Sequence, residues 1–225
     1  MSRGRVEPHK HARGPITRPT AWGDIPPTRR GRHPRRGPRP RPWPDGGVVK
    51  RETLYQGRVI RLIRDVWECQ GRRVSRETVQ HPGAAVIVPM RDRSRLVFVR
   101  QYRRAVDRAL LELPAGTLEP GERPAQCARR ELEEETGWRA GRLRRIGQFS
   151  AAPGVLSEQM TIFLAQDLTR VPARPDPDER LTPITLTLST ALRRIHAGTI
   201  CDAKTIIGVL FAVRVLRGAS GSRGK

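Results

Sequence analysis

Residues 116–138 read GTLEPGERPAQCARRELEEETGW. Pro124 stands where a helix tolerates proline, in its first turn, and Gly137 stands where a helix stops, so the spacing predicts a helix over 124–136. At about 100° per residue, Ala125, Ala128 and Leu132 share one face, an apolar stripe suited to packing on a sheet. Glu131, Glu134 and Glu135 fall on an adjacent face, because separations of three and four bring side chains together, while Glu133 points away into solvent. Like charges at these spacings destabilise a helix by a few tenths of a kcal/mol each. An ordinary Glu-rich surface helix is one reading of the cluster. The other is a cation site, since an ion between the oxygens removes the repulsion. All-oxygen ligation suits Mg²⁺, with Mn²⁺ as a substitute.

Working outward, residues 84–90 (AAVIVPM) and 95–100 (RLVFVR) are apolar, β-branched runs separated by the polar turn 91–94, the pattern of a buried hairpin. Extended segments are expected at 58–65, 74–79, 160–165 and 184–188. A second helix opens at Asp202, which suits an N-cap, and runs through Ile206, Ile207, Leu210, Phe211 and Val213 to stop before Gly218. Strands and helices interleave without repeats, so the fold class is α/β or α+β.

The chain has 225 residues and a formal net charge of +22. Only Lys10, Lys50, Lys204 and Lys225 are lysines, and every other one of the 44 basic residues is arginine. Such an imbalance fits codon bias better than selection for a phosphate backbone, where Lys serves as well as Arg. Residues 1–48 hold half of the chain's 20 prolines and read as a disordered Arg/Pro-rich arm. Trp22 and Trp43 in that arm could stack on bases, so an RNA-associated protein stands as a rival reading. Residues 49–80 form a strand-rich segment, 81–218 the main domain and 219–225 a flexible tail. Cys69, Cys127 and Cys201 are too few and scattered for a disulfide framework, which points to the cytoplasm. No apolar run reaches the ~18 residues of a membrane span, and no secretory signal is evident.

The quoted stretch also carries a longer pattern. Gly116 is followed by five residues, Glu122, seven residues, Arg130-Glu131, apolar Leu132, one residue, Glu134-Glu135, one residue, Gly137 and apolar Trp138. This resembles the Nudix box, complete at all nine positions. The resemblance implies an α/β/α sandwich around a mixed β-sheet and Mg²⁺-dependent hydrolysis of a nucleoside diphosphate linked to another moiety. It implies that Glu131 and Glu135 are metal ligands, that Glu134 is a further ligand or base, and that Arg130 and Glu122 orient the glutamates. Gly116 would free the Ala115 carbonyl to reach a metal.

Outside the box the chain resembles the ADP-ribose pyrophosphatase branch of that family. VRQYR (residues 99–103) leads to LLELPAG (residues 110–116), and the resemblance implies substrate contacts from Arg103, reaching the diphosphate, and from Glu112. Pro153 and Gly154, in SAAPGVLSE, stand where the branch has its substrate loop. DPDER (residues 176–180) matches the branch's acidic loop only in part, since Pro177 replaces an expected acid. The general base therefore stays open between Glu179, Glu158 and Glu134, in that order, with Glu179 also a candidate metal ligand. GTICDAKTI (residues 198–206) opens the last helix in the branch. The resemblance further implies a homodimer built by residues 49–80, with Trp67 and Arg72 candidates for the adenine site. The implied product pair is AMP and ribose 5-phosphate. GDP-mannose or another nucleotide sugar is the alternative substrate.

Overall fold

The computed structural model describes residues 47–173 and 181–220. Nearly all of the arm, the end of the tail and Glu179 lie outside the described residues.

Three antiparallel strands come first: β1 (Lys50–Gln56), β2 (Arg61–Cys69) and β3 (Arg72–Gln80). The turn between β2 and β3 is Gln70–Gly71. Both residues have positive φ, 50° and 72°, the backbone that suits a two-residue hairpin. Hydrogen bonds Val79 N–H to Val155 O (2.8 Å) and Ser157 N–H to Val79 O (2.9 Å) tie the end of β3 to a later loop.

The centre is a mixed four-stranded sheet ordered β7-β4-β9-β8, from β4 (Ala84–Pro89), β7 (Ala115–Thr117), β8 (Trp138–Ser150) and β9 (Gln159–Arg170). β4 runs parallel to β9 and antiparallel to β7. Every residue of β4 is buried, as its unbroken apolar run requires of a strand covered on both faces. Ala85 and Ile87 pack with Cys127, Ala128 and Leu132 of helix α1 (Pro124–Thr136). Val86 and Val88 pack with Val209 and Ala212 of helix α3 (Ala203–Ser220) and with Ala191 of helix α2 (Leu188–His196). Helices on both faces of a mixed sheet make the expected α/β/α sandwich. A second sheet, ordered β10-β5-β6, is wholly antiparallel: β5 (Arg95–Arg103), β6 (Arg108–Glu112) and β10 (Leu181–Thr187).

Some expectations are corrected. The runs 84–90 and 95–100 do not pair as a hairpin. β4 is held on both edges, by β7 and β9, and only one bridge, Met90 to Leu96, links the two runs. Asp92 Oδ1 accepts from the backbone N–H groups of Ser94 and Arg95 (both 2.9 Å), turning the chain away into the other sheet. On α1, Ala125 is exposed and Cys127 takes its place in the buried stripe with Ala128 and Leu132. Glu133 is half-buried rather than free in solvent, and receives two hydrogen bonds from Arg139 (2.8 and 2.9 Å).

Candidate active site

Helix α1 begins where Gln126 Oε1 accepts from the Arg123 N–H (3.0 Å), with Pro124 in its first turn. It ends at Gly137, whose φ of 66° is the left-handed stop and whose N–H reaches the Glu133 carbonyl at 3.0 Å. These two ends set the rotation of the carboxylate face.

Arg130 lies among the glutamates. Its Nε and Nη2 donate to Glu122 Oε1 and Oε2, both at 3.0 Å. Its Nη1 donates to Glu131 Oε1 at 2.7 Å and Glu134 Oε2 at 3.2 Å. Charge-assisted bonds of this kind fix orientation as well as charge. The bond from Arg130 holds the Glu122 carboxyl below its ordinary range, and the Arg130 guanidinium is in turn raised, chiefly by Glu122. Glu135, 5% exposed, accepts from the Ala115 N–H through Oε2 at 3.2 Å. Strand β7 therefore lies directly against the carboxylate face.

Whether these residues suit a divalent cation is tested by Gly116. A β-carbon there would stand 1.7 Å from Glu131 Oε1, so the missing side chain is the space that the Glu131 carboxylate occupies against the strand. Among the described residues no three acidic, His or Cys side chains already converge on one point, and Arg130 neutralises the cluster instead. The donor set is nevertheless all carboxylate beside a backbone strand, the chemistry of a hard cation such as Mg²⁺. A hollow of about 420 Å³ adjoins it, lined by Arg130, Glu133, Glu134, Arg139, Val171 and Pro172.

A second cluster stands at the end of β6. Glu112 is 1% exposed, and Arg103 donates to both its oxygens, at 2.8 and 2.7 Å. Lys204 Nζ also donates to Glu112 Oε2 and lies 3.1 Å from Asp202 Oδ1. Burial pushes the Glu112 carboxyl up, but the bond from Arg103 and the charges of Lys204 and Arg103 outweigh it, and the group ends below its ordinary value. Arg103 is raised, first by its bond to Glu112, with the charges of Glu135 and Asp202 adding to it. Glu135 thus links this cluster electrostatically to the box. Asp202 caps α3, accepting from Thr205 N–H (3.0 Å) and Thr205 Oγ (2.6 Å), and the Leu113 N–H donates to Thr205 Oγ at 2.8 Å. The segment GTICDAKTI is therefore a cap, as its sequence suggests, and also a charge partner. The signal for Lys204 was its rarity: one of four lysines in an arginine-rich chain.

The other named residues have different surroundings. Leu132 is fully buried in the α1 core. Trp138 is half-buried, with Arg170 4.1 Å and Arg91 5.8 Å from its ring centre, a cation–π pairing. Pro153 and Gly154 sit exposed in a turn closed by Val155 and Leu156 N–H bonds to the Ala152 carbonyl. Glu158, 9% exposed, lies 3.4 Å from His81 Nδ1. Trp67 is half-buried opposite Val74, and Arg72 is exposed opposite Cys69, so both stand on one face of the N-terminal sheet.

The fold and the box define the class: the NUDIX domain matches residues 79–200, and the chain belongs to the NUDIX family. More particularly, it is similar to the ADP-ribose pyrophosphatase of Bacillus subtilis (strain 168), with 36% identity over 167 residues, 73% of this chain and 90% of the relative. It is also similar to the methanol dehydrogenase activator of Bacillus methanolicus, with 37% identity over 167 residues and the same shares. In structure it resembles a chain described as an ADP compounds hydrolase, with a TM-score of 0.69 and 26% identity over 77% of this chain and 95% of that one.

Proposed function

We propose that this Nudix hydrolase cleaves the diphosphate bond of ADP-ribose with water, releasing AMP and ribose 5-phosphate. The observation that carries the reading is the chain link between a cation and the carboxylate face: Arg103 holds Glu112, and Ala115, three residues after Glu112, donates its N–H to buried Glu135. An anionic diphosphate held between a cation-loaded carboxylate cluster and an arginine would meet positive charge on both sides. The B. subtilis relative, matched over 90% of its length, supports ADP-ribose as the substrate.

The metal ligands in this reading are Glu131, Glu135, Glu134 and the Ala115 carbonyl, with Glu179 as a further candidate. Mg²⁺, replaceable by Mn²⁺, would neutralise the diphosphate oxygens and lower the pKa of an attacking water. Glu122 and Arg130 orient the glutamates, and Gly116, Leu132, Gly137 and Trp138 shape the box around them. Arg103 receives the diphosphate, and Glu112 aims it. Pro153 and Gly154 belong to the substrate loop. The base that takes the water's proton is Glu179, ahead of Glu158 and Glu134.

Residues 49–80 act in this reading as the dimerisation segment, with Trp67 and Arg72 near a partner's adenine. Exposed Leu54, Tyr55, Val59 and Ile60 on that segment support a covered face. Among the described residues no helix is long and apolar enough to cross a membrane, and none of the three cysteines is in a disulfide. We place the enzyme in the cytoplasm on that cysteine chemistry, and assign no part in hydrolysis to the arm over 1–48. The test is turnover with Mg²⁺ of a panel of ADP-ribose, GDP-mannose, NADH, diadenosine polyphosphates and oxidised dGTP, with products separated by chromatography. AMP appearing fastest from ADP-ribose supports the reading. Faster release from GDP-mannose would keep the Nudix chemistry and overturn the substrate.

A further inference from the structure

We propose that Lys204 is a positioning residue that keeps the buried Glu112 carboxylate neutralised and so lets Arg103 turn from Glu112 to the anionic substrate. The proposal rests on the reading that Arg103 receives the diphosphate.

Two cations share one carboxylate here. The Glu112 side chain is 1% exposed and takes two bonds from Arg103 and one from Lys204. The second acid, Asp202, faces Lys204 and balances the group. The two cations differ in freedom. The Lys204 side chain is 10% exposed and sits in the first turn of α3, whereas that of Arg103 is 37% exposed at the end of β5. The first turn of α3 is itself pinned, because Asp202 holds Thr205 and Thr205 holds the backbone of Leu113, the neighbour of Glu112. Lys204 is therefore the cation that stays, and Arg103 the one able to leave.

That difference matters because of what departure would otherwise cost. A buried carboxylate stripped of its partner is strongly unfavourable. With Arg103 as sole partner, each substrate binding event would have to strand Glu112. With Lys204 in place, Glu112 keeps a counter-charge when Arg103 moves, so more of the Arg103–phosphate attraction is available for binding. The effect belongs to substrate capture and leaves the carboxylates of α1 untouched.

The test is steady-state kinetics on whichever panel compound the wild type turns over, with Lys204→Met, Lys204→Arg, Glu112→Gln, Lys204→Met/Glu112→Gln and Arg103→Ala. Lys204→Met is expected to raise KM about tenfold or more with kcat within about threefold, since Arg103 then stays on Glu112. Lys204→Arg keeps the charge and should bring KM back toward wild type. The double variant should show the KM of Glu112→Gln alone, because no buried charge is left to hold Arg103. A Lys204→Met enzyme with wild-type KM, or one that loses kcat at constant KM, overturns the proposal. If circular dichroism shows Lys204→Met unfolded, the double variant decides: a KM above that of Glu112→Gln overturns it. Arg103→Ala separates the two readings. Unchanged KM there removes the diphosphate contact itself, and with it the proposal, whereas a raised KM beside an unaffected Lys204→Met removes Lys204 alone.

Discussion

Gly116 and Glu131 approach so closely that a β-carbon on the glycine would stand 1.7 Å from the glutamate's Oε1. The obstacle is the end of a flexible side chain, so Gly116→Ala should fold and melt within a few degrees of wild type while pushing Glu131 off its place. The expected loss in kcat is about 100-fold or more, the scale of a missing metal ligand. Turnover and a thermal melt on the same sample check this, and wild-type turnover would remove Glu131 from the site.

Glu135→Gln preserves an oxygen for the Ala115 N–H and removes only the charge. A fall in kcat of about two orders of magnitude is expected, with little change in stability. Undiminished turnover would refute the metal assignment.

The base can be located by comparison. Glu179→Gln should lower kcat far more than Glu158→Gln, whose wild-type carboxylate lies beside His81. If Glu179→Gln costs no more than a few-fold, the role passes to Glu158, then to Glu134.

Acid should loosen the β6–α3 junction. The folded pKa of Glu112 is depressed below the ~4.3 of an unfolded glutamate, so its contribution to stability is present above that value and is lost as pH falls through the lower, folded one. Urea midpoints should therefore drop as pH is taken from about 5 to below 4. In Glu112→Gln that drop should be shallower, and an equal slope in both proteins would mean the buried pairing contributes nothing net.

Thiol labelling should distinguish the cysteines. Burial, with the charges of Glu131 and Glu122, pushes the Cys127 thiol up to about 12, and its Sγ lies against the Gly116 and Thr117 carbonyls. Cys201 is exposed. At neutral pH an alkylating reagent should modify Cys201 promptly and reach Cys127 only when the chain is unfolded. Prompt labelling of Cys127 in the native protein would mean that α1 opens readily.

The parts most legible in the sequence were those set by short-range spacing. The helix over Pro124–Thr136 lies where its proline and glycine put it, and Arg130 gathers Glu122, Glu131 and Glu134. What escaped depends on partners distant in the chain. Two apolar runs beside one turn look like a hairpin, yet β4 found β9 76 positions later and left β5 to β10. β8 was missed because its outward positions are arginines and its register slips between Arg145 and Gly147, which breaks the alternation. Arg103 and Glu112 could be named from their surroundings in sequence, but the third member of their cluster, Lys204, lies 92 residues beyond Glu112.

The bond from the Leu113 N–H to Thr205 Oγ spans the same 92 positions and has a consequence for how the enzyme is made. During synthesis every box residue leaves the ribosome well before the turn that steadies Glu112 and Leu113. A nascent or prematurely terminated chain would carry the whole carboxylate helix, yet Arg103 would be the only cation on Glu112 and the Leu113 N–H would lack its Thr205 acceptor. Full substrate affinity would then arrive late in translation, with a finished α3 rather than with the motif by which the family is recognised.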